Sequence, residues 1–336
     1  MTLDAHAGLT ALAAVTACAP SPELVTAYIT SQGTNSVTPV AVATNTPGRR
    51  SIPIGSNPVG VAITPDGTTA YVTNDVRRGT VTPISVATNT PGRPIPVGGF
   101  PVGVAVTPDG TTVYVANRGS NSVTPIAVAT NTPGRPIPVG SNPAGIAITP
   151  DGRTAYVTNE FSGTVTPITV ATGIAGRPIP VGSFPVGIAI TPDGRTVYVT
   201  NVLSHTVTPI AVATNTPGRA IPVRPSPNGI AVSPDGETAY VTSLNSGCGT
   251  VTPIVVATNT PGRPIPVGSD PAGVAITPDG TTAYVTNFNN GTVTPIAVAT
   301  NTTGRPIPVG SFPFGIAITP GAVHLGAGHP SARRRP

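Results

Sequence analysis

Few residues in this 336-residue chain are equipped for chemistry. There are four histidines, two cysteines and twelve acidic residues, and all 17 basic residues are arginine. His6, His324 and His329 lie near the ends, which leaves His205 as the one imidazole in the body of the chain. Metal sites built on nitrogen and sulfur need His and Cys clustered at short spacings, and no such cluster occurs. A Ser–His–acid relay would have to join His205 to Ser204 or another serine of the same face and to Glu160 or Asp270, and the sequence gives that no geometric support. Phosphate-cradling glycine motifs are absent from any strand-to-helix context. The candidates that remain are Asn57, Phe100, Arg118, Asn142, Glu160, Phe161, Phe184, Asp270, Phe288 and Phe312. Carboxylate and amide oxygens from Glu160, Asp270, Asn57 and Asn142 would suit a hard divalent cation such as Ca²⁺ or Mg²⁺. Otherwise no cofactor is expected, and no metal ligand set is assigned. The phenylalanines would form either a plug or an aromatic platform for a ligand.

These residues are positioned by a repeat. All seven tyrosines fall at one repeat position, Tyr28, Tyr71, Tyr114, Tyr156, Tyr198, Tyr240 and Tyr284, spaced by 42–44 residues. The unit from Gly103 to Gly140 holds four short β-like runs: 103–107, 113–117, 123–128 and 137–139. Pro-Asp-Gly between the first two sets a tight turn, with Pro fixing φ and Gly free to take a positive one. Four strands per 42–44 residues predict a β-propeller blade. The Gly-(Val/Ile)-Ala-(Val/Ile) run and the Tyr run each occur seven times, but the first Tyr run has no inner run before it. The expected fold is therefore all-β: a seven-bladed propeller of four-stranded antiparallel blades. It closes when the N-terminal strands pair with the C-terminal inner strand. The Ala62 series marks small residues near the axis. Pro83 and its repeats, inside an otherwise strand-like run, predict a bulge, and prolines in the outermost run protect an exposed edge.

Composition is consistent with this. Thirty-nine Gly and 43 Pro in an aperiodic chain would suggest disorder, but the period makes them punctuation. No apolar run is long enough for a membrane-spanning helix. The net charge of +5 is spread over both faces and the tails, so nucleic acid is not an expected partner. Residues 1–23 read as a leader, 24–320 as the propeller and 321–336 as a disordered tail. In the leader, Ala-Val-Thr-Ala-Cys18 resembles a bacterial lipoprotein signal, although Met1–His6 carries Asp4 and no basic residue. Lipidation at Cys18, or a Cys18–Cys248 disulfide, would place the protein outside the cytoplasm, secreted or anchored to the envelope.

Tyr71-Val72-Thr73-Asn74 and its repeats at Tyr156, Tyr198 and Tyr284, with the flanking Thr-Pro-Asp-Gly, resemble the YVTN-type β-propeller repeat family. The resemblance spans about residues 24–320. It implies a surface-layer or periplasmic seven-bladed propeller, and related propellers include lactonases and a lyase with metal or catalytic groups at the channel mouth. Here Ala127 and its equivalents replace the family's Asp after the third strand's apolar run.

Repeats that differ point to function. The loops from strand four to strand one, and from strand two to strand three, share the face on which sequence varies, and all six Phe lie there. The expectation is a monomeric, non-catalytic binding or scaffold protein that recognises a small molecule, protein or cell-envelope partner on that Phe-rich face. The alternative is a lactonase- or lyase-like enzyme with a metal-assisted site at the same mouth.

Overall fold

A computed structural model describes residues 25–244 and 247–321. The expected leader, Cys18 with its lipid or disulfide, and the expected tail beyond Gly321 lie outside the described residues. Seven antiparallel sheets form a ring. Blade 1 consists of an inner strand Pro58–Ile63, a second strand Thr69–Asn74, a third strand Thr80–Ser85 and outer pieces Thr90–Pro91 and Ile95–Pro96. Blades 2 to 6 repeat this from Pro101, Pro143, Pro185, Pro227 and Pro271. Blade 7 joins the chain ends: inner strand Pro313–Ile318 pairs with Thr26–Ser31, putting Ala27 opposite Ile318 and Ile29 opposite Ile316. The expected seven-bladed closure is thus the observed one.

Two local expectations need correction. The third strand has no bulge at its proline, because Tyr71↔Pro83 continues an unbroken register from Thr69↔Ser85 to Asn74↔Thr80. The Pro83 carbonyl accepts from the Gly92 amide at 2.7 Å. A strand residue's C=O and N–H face the same neighbour, so the donor that Pro83 lacks would have faced the outer strand. That strand is the one that breaks, into the Thr90–Pro91 and Ile95–Pro96 pieces, so each sheet has four to five strands. The bulge lies instead in the inner strand, where register slips between Pro58 and Val61. The tightest approach to the axis falls there too, at Gly60 rather than at Ala62. A Cβ on Gly60 would stand 2.3 Å from the Val102 carbonyl of the next blade.

Stability comes from the blade interfaces. Each core cluster lies between neighbouring blades; Tyr156, Val165 and Ile179 of blade 3 pack on Val197, Val199 and Ile210 of blade 4. The phenol of Tyr156 donates to Asn215 Oδ1 at 2.6 Å, in the Ala-Thr-Asn turn of the next blade. Asn215 sits at φ 54°, a left-handed position that Asn tolerates. This link explains why Tyr and Asn recur together. Blade 3 has Gly173 at the Asn position, and Tyr114 there meets only the Val170 carbonyl, at 3.4 Å. A second link is a hydroxyl staple. Thr158 Oγ1 accepts from Gly145 N–H at 2.8 Å and donates to the Val186 carbonyl of blade 4 at 2.9 Å. Blade 2 carries Ala116 at the staple position and has no such hydroxyl.

Candidate functional site

The loops expected to share a face do so. They surround a cavity of about 490 Å³ at one mouth of the central channel. Its floor is the ring of bulge glycines, Gly60, Gly103, Gly145, Gly187, Gly229, Gly273 and Gly315, beyond which the channel continues between the inner strands. Only Gly permits this approach, since a Cβ at any of these positions would stand 2.1–2.5 Å from a carbonyl oxygen of the adjacent blade. The wall above is set by the residue that follows the second strand in blades 7 and 1 to 5, namely Gln32, Asp75, Arg118, Glu160, Val202 and Leu244; in blade 6 the equivalent Phe288 lies off the wall, against Phe314. The second strand ends on a buried Asn in most blades. The Asn159 amide donates to Thr166 Oγ1 at 2.9 Å, and this anchors the backbone that launches Glu160.

A polar cluster fills one side. Arg118 Nη2 lies 3.0 Å from Asp75 Oδ2, a charge-assisted bond between neighbouring blades. Asn57 donates from Nδ2 to the same carboxylate oxygen at 3.3 Å and to the Asp75 carbonyl at 3.2 Å. Asp75 Oδ1 is buried without a hydrogen-bond partner among the described residues. Glu160 Oε2 accepts from Asn142 Nδ2. Burial pushes the Glu160 carboxyl above its ordinary value of 4.5, against the opposing pull of Arg118 and of the Asn142 hydrogen bond. Asp75 is raised as well, by burial that outweighs Arg118. Carboxylates shifted upward beside a cation at a channel mouth are the kind of groups that proton transfer uses.

Of the ten candidate residues, Asn57, Arg118, Glu160 and Phe184 line this cavity, and Asn142 holds Glu160 from behind. Phe100, Phe161, Asp270, Phe288 and Phe312 are not on its wall. The phenylalanines do not make one platform. Phe161 leans on Phe184 with ring centroids 5.7 Å apart, while Phe288 contacts Phe312 at 5.0 Å and Phe314 at 6.3 Å. Phe100, Phe184 and Phe312 hold left-handed backbone, φ 52–61°, at the loop position before the inner-strand proline. Sequence reasoning missed Asp75, Gln32, Asn228, Leu244 and Phe314, all on the wall. The signal was present: Asp75 occupies the position of Arg118 and Glu160 in the register.

The four oxygen donors expected around a divalent cation do not assemble. Asp270 Oδ2 is taken by Asn289 Nδ2 on blade 6, and the Asn57 and Asn142 amides present nitrogen to carboxylates. Among the described residues no three His, Cys, Asp or Glu side chains converge as a metal would require. No described helix is long and apolar enough to cross a membrane.

Fold and site together define a seven-bladed propeller with a polar, carboxylate-bearing cavity at one channel mouth. Residues 68–174, which hold Asp75, Arg118, Asn142 and Glu160, match the family model described as lactonase, 7-bladed β-propeller. That match, and not one to the YVTN-type repeat, is the family-level finding. No curated protein matches the sequence. Among solved structures the chain is similar to the periplasmic gluconolactonase of Pseudomonas aeruginosa, with TM-score 0.70, 19% identity, and 88% of this chain and 99% of that one covered. It is also similar to Kuenenia stuttgartiensis hydrazine synthase, with TM-score 0.72, 23% identity, and 79% and 96% covered. A functionally unknown protein of Desulfotomaculum acetoxidans gives TM-score 0.76, 19% identity, and 88% and 99% covered. At these identities the structures share the fold. The lactonase match overturns the expectation of a non-catalytic binding protein, and the scattered phenylalanines give that expectation no common surface.

Proposed function

We propose that the protein is a lactonase-type hydrolase working at the channel mouth. The observation that carries this reading is the Asp75–Arg118–Glu160 cluster, two desolvated carboxylates on either side of one guanidinium within the segment that matches the lactonase model.

In this reading Glu160 is the general base. Asn142 occupies Oε2, leaving Oε1 to take a proton from water as the water oxygen bonds to the lactone carbonyl carbon. Charge develops on the former carbonyl oxygen, and the guanidinium of Arg118 stabilises it. Asp75, fixed by Asn57, keeps Arg118 in place. As the ring C–O bond breaks, Glu160 returns its proton to the leaving oxygen, and a hydroxy acid results. The bonds to Asn57 and Asn142 hold the cluster without a metal-ligand set, so no step is routed through a metal. An extracytoplasmic location, as a monomer, remains part of the proposal; it is supported by the Cys18 leader pattern and by the periplasmic neighbour.

The test is acid release from a panel of γ- and δ-lactones, followed in a pH-stat, for the wild type and Glu160→Gln. The expected result is opening well above the spontaneous rate and a loss of about 10²–10⁴-fold in kcat in the variant. A wild type that opens no lactone, or a variant as fast as the wild type, would end the proposal.

A further inference from the structure

The wall of the cavity is sorted by blade. Gln32, Asp75, Arg118 and Glu160 line it from four consecutive blades, Val202 and Leu244 from the next two, and at the same position of the last blade Phe288 lies off the wall behind Phe314. Val186, Phe184 and Phe314 extend the apolar side. Phe314 is braced edge-on by Phe288, with ring centroids 6.3 Å apart. Blade geometry does not demand this division, because the same position accepts Gln, Asp, Arg, Glu, Val, Leu and Phe in turn. Val202, Leu244 and Phe314 are only partly buried and belong to none of the inter-blade cores. Partly exposed apolar side chains gathered on one wall of a cavity are a ligand surface.

We propose that the substrate is an amphipathic lactone. Its ring meets Glu160 and Arg118, and an apolar substituent, such as an unbranched alkyl chain, lies across Val202, Leu244 and Phe314. This inference rests on the hydrolytic reading of the same site. A polyhydroxylated lactone fits less well, because on that side most of its hydroxyls would face Val202, Leu244 and Phe314, with Asn228 the one polar side chain there among the described residues, and an unpaired polar group is costly. A phosphorylated one fits worse. Arg118, the only guanidinium on the wall among the described residues, is committed to the lactone carbonyl oxygen in this reading, and Asp75 and Glu160 would repel the phosphate.

The experiment compares kcat/KM for δ-hexalactone, δ-decalactone and D-glucono-δ-lactone. Each methylene that enters the apolar wall is expected to raise kcat/KM about four-fold until the wall is filled. Leu244→Asn and, as an independent variant, Val202→Thr should each shrink the ratio of δ-decalactone to δ-hexalactone while leaving the acid limb of the pH profile in place. A flat chain-length series, or a preference for the glucono-lactone, overturns the inference and leaves the hydrolase reading standing. If no lactone is opened, thermal shift with δ-decalactone and D-glucono-δ-lactone separates the two ideas. Stabilisation by the alkyl lactone alone, lost in Leu244→Asn, keeps the ligand class and ends the hydrolase reading. No shift with either compound ends both.

Discussion

Arg118 of blade 2 donates to Asp75 of blade 1 across the blade boundary at 3.0 Å, with the Asp75 side chain 10% exposed. The guanidinium is therefore positioned by a carboxylate from another blade and also faces Glu160, whose charge it helps to hold. Replacing Asp75 by Asn keeps the shape but weakens that hold. Asp75→Asn is expected to lower kcat less than Arg118→Gln, and Arg118→Gln should lose about 10²–10³-fold, as for removal of an oxyanion donor. Steady-state kinetics on the best lactone decides it; equal losses would indicate that Asp75 does more than position Arg118.

In the proposed hydrolysis the raised carboxyl of Glu160 should set the acid limb of the rate profile. A general base works when deprotonated, so kcat/KM should fall as pH drops through a value above the ordinary 4.5. The same shift means that folding disfavours the charged form, at a cost felt above both the folded and the unfolded value. Glu160→Gln should therefore raise Tm at pH 7 while lowering kcat about 10²–10⁴-fold, a trade of stability for activity. Calorimetry at pH 7 and at pH 4 tests the sign, since the gain should shrink at the lower pH.

The Thr-Pro-Asp-Gly turns behave oppositely. Hydrogen bonds from Thr64 and from the Thr68 amide hold the Asp66 carboxyl below its ordinary value of 3.8, and Asp109, Asp151, Asp193, Asp235 and Asp279 are lowered likewise. A depressed folded value gives stability that is present above the unfolded value and is lost as pH falls through the folded one. Urea midpoints measured from pH 6 downward should hold until about pH 4 and then decline. A midpoint that rises through this range would contradict the turn geometry.

The inter-blade phenols are graded by their acceptors. Tyr156→Phe removes a 2.6 Å bond to Asn215 and should cost about 1 kcal/mol. Tyr114→Phe removes only a 3.4 Å contact with the Val170 carbonyl and should cost distinctly less. Chemical denaturation of the two variants side by side checks the order.

Blade 2 lacks the hydroxyl staple because it has Ala116 where Thr158 stands in blade 3. Ala116→Thr should restore bonds to the Gly103 amide and the Ala144 carbonyl and stabilise the protein by about 1 kcal/mol. An unchanged or lower Tm would show that the neighbouring strands at this boundary are set differently from the other six.

The amino-acid sequence by itself determined the architecture. The Tyr period, the orphan first Tyr strand and the Gly-(Val/Ile)-Ala strand at the far end demand seven blades and a closure between chain ends. Backbone hydrogen bonding and inter-blade burial are local demands, repeated in every copy, so they are written in every copy. The varied face was legible for the same reason: whatever the blade does not require is free to differ. Tertiary structure alone decided which varied residues meet. Asp75 and Arg118 are 43 residues apart and touch only because neighbouring blades deliver the same loop position to one wall. Phe100 and Phe312 share a loop series with Phe184, yet only Phe184 reaches the cavity. The direction in which a loop side chain points depends on its left-handed backbone and on the loop opposite it, and neither is encoded by spacing. The polar and apolar halves of the mouth become visible only once seven distant positions are arranged as a ring.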